Sequence, residues 1–428
     1  SASVILVGLF FLSFPAVATM AVYHAGDYFG VVCFFSISGA YLISRKGLTS
    51  SVCGIFLLVL SLGGYQPYIG FTISLLALDC LIRLLRNENI GEIIKTGFLY
   101  IAEVILSIGI YYAILQLFMR KFNITLSNYK GVDNIGSNLK PLNLINSFFG
   151  EFADIYKFLF RGYIDIERGA TKPYYIFIII LLIIGLFIIV NRYRTIKSFS
   201  HMLCAIVILF CFIPLGCNIT GLLTANKSFY FISIAPLVVF FVIPLVFSEI
   251  LHRSTVDQGS AKKLTSIFTS AVFVASALLT LRWIIQDNIV YQKLEILNNE
   301  YDLKLSFMAY RINKSVGYSF EIPIILIGNP PYHFLKSAGK LEAIEREYDT
   351  RQAGLADGDI LLYSPGIMVA YLQNKFSVHI NFISGQDDFI TGNREIIESM
   401  PTYPSEGFAH LVDGKMIVKL SDTFDWGE

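Results

Sequence analysis

Nine apolar runs of roughly membrane-crossing length fill the first 286 residues: Ala2–Met20, Tyr28–Ser44, Ser51–Gly64, Pro67–Leu85, Thr96–Met119, Tyr174–Asn191, Phe199–Gly216, Phe229–Ile250 and Leu264–Ile285. A helix crosses a hydrocarbon core of ~30 Å with about 17–25 residues. Only 15% of the chain is charged and mean hydropathy is +0.62, whereas soluble domains carry about 25% charge. No soluble core could hide this much apolar surface, so part of the solvent must be lipid. The fold expected is a mainly α, polytopic membrane helical bundle.

The basic residues of the short loops set a direction. Arg45, Lys46, Arg83, Arg86, Lys95, Arg192, Arg194, Lys197, Arg253, Lys262 and Lys263 fall in one alternate set of loops and span ends, and Lys227 alone in the other. Lys and Arg are retained on the cytoplasmic side. The long loop 120–173 and everything after Gln286 are then expected on the outer face. The domains expected are a transmembrane bundle over 1–286 and a periplasmic α/β domain over 287–428. Within the tail, Ile322–Gly328, Asp359–Leu362 and Met416–Leu420 read as strands, and Glu342–Tyr348 and Arg394–Met400 as helices. Asn288–Ser315 reads as a helix leaving the membrane.

Two local features stand out. Gly63-Gly64-Tyr65-Gln66-Pro67 interrupts what is otherwise one long apolar run, which predicts a tight helical hairpin. Phe148–Tyr163 carries aromatics at helical spacing with Glu151, Asp154, Lys157 and Arg161 between them. It suits an amphipathic helix, either at the outer interface or packed on the bundle.

Composition narrows the chemistry. A formal net charge of +1 offers nothing to nucleic acid. The six cysteines have no metal-binding spacing and read as small apolar residues. No GxGxxG or P-loop is present, so no nucleotide site is expected. Charges inside the apolar runs are few (Asp79, Glu103 and Arg282), and no matched pair of broken spans marks an inverted-repeat carrier. Acids and cations instead gather in the outer loops. Asp27 lies beside His24 in the first, Tyr65 and Gln66 in the second, Arg161 in the long loop, and Lys227 before the eighth span. Such a set suits a membrane enzyme handling a lipid-linked phosphate: a cation neutralises the leaving phosphate and a carboxylate takes the acceptor's proton. Taken singly, each of these residues reads first as an ordinary solvated loop residue, and Tyr65-Gln66 as a hairpin turn whose hydroxyl and amide cap helix ends; Lys227, the one base of the short outer loops, stands more evenly between the two readings.

The hairpin LSLGGYQPYIGFTISLL (Leu60–Leu76) is similar to a stretch of the serotype-converting O-antigen glucosyltransferases. MPTYPSEGFAHLVDGKMIVKLSD (Met400–Asp422) resembles that family's ending, and the order of spans, long loop and outer domain also matches. The resemblance implies a GT-C type enzyme of the bacterial inner membrane. It would move glucose or another hexose from undecaprenyl phosphate to lipid-linked O-antigen on the periplasmic face. Its partners would be the bilayer, the lipid-linked sugar and the glycan acceptor. The donor is a substrate, so no cofactor is expected, and a divalent metal is left open. Lys227 and Arg161 would bind phosphate or headgroup, Tyr65 and Gln66 would line the site, and Asp27 is a candidate base. Lys227 stands where the family tends to carry Arg, and Lys lacks the bidentate fork. The chain opens with Ser1 inside an apolar run, which suggests a start partway into a longer protein whose true base lies upstream. The alternative function is a lipid-linked oligosaccharide flippase or other transporter. A receptor with a partner-binding tail is a third.

Overall fold

A computed structural model describes residues 2–22, 26–124, 141–160, 171–193, 199–219, 231–253, 260–328, 369, 372–374, 381–383 and 387–422. The chain divides into two compact units, the first running to Asn288 and the second beginning at Ile289.

Among the described residues, the regular structure of the first unit is helical. In chain order it contains α1 (Ala2–Ser13), α2 (Ala16–Val22), α3 (Gly26–Ser44), α4 (Leu48–Gly64), α5 (Ile69–Leu85), α6 (Ile90–Phe122), α7 (Pro141–Phe160), α8 (Lys172–Tyr193), α9 (Phe199–Val207), α10 (Ile213–Cys217) and α11 (Val238–Arg253). Helix α12 (Ser260–Asn313) begins in this unit. Among the described residues, seven helical stretches are long and apolar enough to cross a membrane, and Ala2–Ser13 and Leu48–Gly64 are shorter apolar helices. The stretch Ser233–His252 is the most deeply buried and Ile90–Phe122 the least. The bundle is therefore built around α11, with α6 on its periphery.

One difference from the sequence reading is instructive. Ala2–Met20 was expected as a single span, but the helix ends at Ser13 and restarts at Ala16. Pro15 is the cause: it has no N–H to donate and its ring crowds the preceding turn. Pro214 acts in a second way. The turn before it, Ile208–Phe212, is a π-helix, a widening that accommodates the N–H that proline lacks.

Helices α3 and α4 make the closest pair. A Cβ on Gly39 would lie 3.1 Å from the Gly54 carbonyl and 2.9 Å from Leu58 Cδ2, and one on Gly54 would lie 2.8 Å from Ile43 Cγ1. Small residues allow the backbones to touch, which is how helices associate where lipid removes the hydrophobic drive. Helix α3 also packs on α5, α4 on α6, and α5 on both α6 and α10. The connections 45–47 and 86–89 form a basic end. There the Arg83 guanidinium pairs with Asp79 at 2.6 Å and Tyr100 donates to the same carboxylate oxygen at 2.8 Å. Asn89 caps α6 by accepting from the Gly91 N–H at 2.8 Å. The opposite end carries the turn at Tyr65–Tyr68 and is called the tyrosine end below.

The second unit holds a three-stranded sheet, β1 (Ile324–Ile327), β2 (Ala409–Val412) and β3 (Lys415–Lys419), in the order β1-β3-β2. β1 runs parallel to β3 with Ile324 opposite Met416, and β2 runs antiparallel with Val412 opposite Lys415. Asp413 and Gly414, at φ 46° and 73°, make the two-residue turn between β2 and β3. Two short helices, α13 (Asp387–Gly392) and α14 (Arg394–Ser399), belong to this unit. Leu305, Met308 and Ile312 of α12 pack with Leu326, Tyr403, Phe408 and Val418. The buried Lys419 ammonium donates to the carbonyls of Glu398 (3.2 Å) and Met400 (2.9 Å), closing the end of α14. The expected strand Asp359–Leu362 and helix Glu342–Tyr348 lie outside the described residues.

Replacing Gly54 with Leu drives a side chain into Ile43 and the Gly39 carbonyl. We expect a loss of about 1–3 kcal/mol, read as a lowered melting temperature of the detergent-solubilised protein.

Candidate functional site

The tyrosine end is organised by backbone that is not α-helical. Gly64 ends α4, Tyr65 is extended at φ −148° and ψ 104°, and Gln66–Tyr68 form a single 3-10 turn with Pro67 near its start. A second 3-10 segment, Phe231–Leu237, precedes α11. This segment packs against α2, against the Gln66–Tyr68 turn, and against α5 and α10. In a bilayer, irregular backbone is tolerated only where protein covers it or where it lines a polar cavity. Here the irregular pieces cover one another.

Close approach makes this possible. A Cβ on Gly70 would lie 2.9 Å from the Gly216 carbonyl, 2.9 Å from Pro236 Cγ and 3.2 Å from the Cys217 carbonyl. Gly70 is thus the point where α5, α10 and the second 3-10 segment meet. Side chains then take up the spare backbone groups. The Cys217 thiol donates to the Pro236 carbonyl at 3.3 Å, and the Ser74 hydroxyl reaches the Ile213 carbonyl at 3.3 Å.

Tyr65 and Gln66 are brought together with partners that the sequence did not single out. The Tyr65 ring meets Phe29 edge-on at 5.2 Å and Tyr68 at 4.9 Å. The Gln66 amide donates to the Tyr111 hydroxyl at 2.9 Å, tying the turn to α6. The Tyr28 hydroxyl donates to the Gly64 carbonyl at 2.7 Å, satisfying an acceptor at the end of α4. The Ser36 hydroxyl donates to the Tyr68 carbonyl at 2.6 Å. Tyr68 itself is fully buried, and its own hydroxyl has no hydrogen-bond partner. Asp27 is exposed in the first turn of α3, directly before Tyr28. A carboxylate there is favoured by the helix dipole. Arg161 and Lys227 lie outside the described residues, as does His24.

Glu151, read from the sequence only as one of several loop acids, turns out to be buried. Ser147, Glu151, Ile155 and Leu159 are all buried at four-residue spacing on α7, and α7 packs on α8 and α10. This answers the open question about the amphipathic segment, since its inner face is packed on the bundle. Phe149 remains exposed. The Asn218 amide, just past α10, donates to the Glu151 carboxylate. The signal in the sequence was an acid on the apolar face of an amphipathic helix.

Comparison with known proteins decides the family. The sequence profile described as "Glucosyl transferase GtrII" matches residues 2–243, more than half of the chain. The chain belongs to this glucosyl transferase family. No curated protein and no solved structure matches it. The match supports the resemblance read from the YQP hairpin. It spans Asp27, Tyr65, Gln66, Glu151 and Asn218, so the whole tyrosine end as described lies within the family's territory. Among the described residues no group of three or more His, Cys, Asp or Glu is placed to hold a metal ion.

Removing the Asn218 amide withdraws a hydrogen bond from a buried carboxylate. We expect Asn218→Ala to cost about 1–3 kcal/mol, measured as a fall in melting temperature, with Asn218→Gln recovering part of it.

Proposed function

We propose that this membrane glucosyltransferase takes glucose from undecaprenyl phosphate and attaches it to lipid-linked O-antigen at the periplasmic face. The membership of the glucosyl transferase family carries the reading. Three further observations support it. The sequence offers no nucleotide-sugar motif, so a lipid-borne donor suits it better than a soluble one. In the loop alternation read from the sequence, the Lys and Arg of the short loops fall on the side opposite the Tyr65–Tyr68 turn, which suits a tyrosine end that faces outward. The tyrosine end also offers phenols, an amide and an exposed acid beside apolar helices, the mixture that a greasy donor with a polar head requires.

In the proposed reaction the acceptor hydroxyl oxygen attacks C1 of glucose. The bond from C1 to the phosphate oxygen breaks, and polyprenyl phosphate leaves with the electron pair. A carboxylate takes the acceptor's proton, for which Asp27 is our candidate. Lys227 and Arg161 are candidates to neutralise the leaving phosphate, and Tyr65 and Gln66 to line the sugar path. The ion pair at Asp79 supports an enzyme rather than a carrier, because that acid already has Arg83 and Tyr100 as partners and offers no open step for an ion.

The test is glucose transfer in membranes containing the full-length protein. We expect transfer from polyprenyl-phosphate glucose and none from a nucleotide sugar when the lipid carrier is absent. Lys227→Ala should lower the rate about 100-fold or more if it stabilises the leaving phosphate. Transfer directly from a nucleotide sugar would contradict the donor assignment, and an unchanged rate in Lys227→Ala would remove that residue from the site.

A further inference from the structure

Helix α12 carries a second polar place, within the first unit and beyond the end of the family match at residue 243. Its foundation is aromatic. Trp283 is fully buried and meets Phe10 and Phe14 at 5.2 Å each and Phe241 at 5.3 Å, all edge-on. The indole N–H donates to the Tyr175 hydroxyl at 3.1 Å. Three helices thus hold this residue in place. Beside it, the buried Arg282 donates from Nε to the Thr171 hydroxyl at 3.4 Å.

Asp287 stands one helical turn beyond Trp283, on nearly the same face. It is only 6% exposed, and its Oδ1 has no hydrogen-bond partner. Arg282 does not supply one. Five residues of helix turn the two side chains ~140° apart, and the Arg282 Nε is directed at Thr171. The contrast with the other buried acid among the described residues is sharp: Glu151 accepts from the Asn218 amide. Buried polar atoms in native proteins are almost always satisfied. An ionisable side chain inside a membrane bundle marks a functional site by default.

We infer that Asp287 is a sugar-binding carboxylate, whose free oxygen accepts hydrogen bonds from the hydroxyls of a hexose bound at this place. A carboxylate is an acceptor with several lone pairs, and a hexose is a dense array of hydroxyl donors. Trp283 is fully buried and acts only as the packing that fixes this stretch of α12; the unfilled acceptor on Asp287, held on that rigid support, is the group that a pre-organised subsite presents. The inference rests on the glucosyltransferase reading and deepens it, since the hexose belongs either to the lipid-linked donor or to the acceptor glycan.

The experiment uses the full chain and compares wild type, Asp287→Asn and Ser276→Ala. Ser276 is a useful control, because it lies on the same helix, is fully buried, and its hydroxyl also lacks a partner. Asp287→Asn relieves an uncompensated burial, so its melting temperature should rise by a few degrees. Glucose transfer should nevertheless fall about tenfold or more, as for the loss of a charge-assisted hydrogen bond to substrate. A raised KM for polyprenyl-phosphate glucose assigns the hexose to the donor, and a raised KM for the glycan assigns it to the acceptor. Ser276→Ala should transfer at the wild-type rate. Equal transfer by wild type and Asp287→Asn overturns this inference alone. So does an equal loss in Ser276→Ala, which would trace the effect to disturbance of α12. Failure of Asp287→Asn to fold also overturns it, because the carboxylate would then be holding the structure together. Absence of any transfer by wild type overturns the functional reading and this inference with it.

Discussion

Everything at the tyrosine end follows from one requirement: a backbone N–H or C=O surrounded by lipid must find its partner inside the protein. Long helices meet that demand without help, but this chain breaks its helices repeatedly. Pro15 separates α1 from α2, Gly64 to Tyr68 fold a hairpin, Pro214 follows a π-turn, and Phe231–Leu237 is wound as a 3-10 segment. These breaks are tolerable because they lean on each other. Gly70 and Gly216 let the backbones touch, and Ser36, Tyr28, Ser74 and Cys217 supply donors for carbonyls near the breaks. The polar surface of the site is thus a by-product of how the helices end.

The acids of the bundle divide along the same line. The half-buried Asp79 has Arg83 on its own helix and Tyr100 on α6, and the buried Glu151 has Asn218, so both are part of the architecture and tie one element to the next. Asp287 has none on its free oxygen. A protein that satisfies acids at two positions and leaves a third open has, on our account, reserved that third for something that arrives from outside.

Much of the bundle was legible in the sequence, because span-length apolar runs have few alternatives in a membrane. The YQP hairpin was legible for the same reason: glycine and proline are the strongest local interruptions of a helix. In the second unit, Ile322–Gly328 and Met416–Leu420 announced β1 and β3 through their β-branched runs. What stayed hidden was tertiary. Tyr111 sits in the middle of a long apolar helix, and nothing local says that its hydroxyl will receive Gln66. The break at Pro15 was masked by the hydropathy on either side of it. Asp287 follows the apolar run Leu264–Ile285 in the polar stretch Gln286-Asp287-Asn288, which reads as the solvated end of a span. Only the packing around Trp283 shows that the burial continues.

The proposed chemistry requires the tyrosine end to face the periplasm, where the proposed lipid-linked acceptor would be, and the loop charges of the sequence predict the same side for the second unit. The direct measurement is labelling of intact cells with a membrane-impermeant maleimide, after the six native cysteines are replaced. Single cysteines would be placed at the exposed positions Thr49, in the first turn of α4 at the basic end, and Glu406, in the second unit. The account predicts that Glu406→Cys is labelled from outside and that Thr49→Cys is labelled only after the membrane is opened. Labelling of Thr49→Cys in intact cells, with Glu406→Cys protected, would invert the topology and contradict the account.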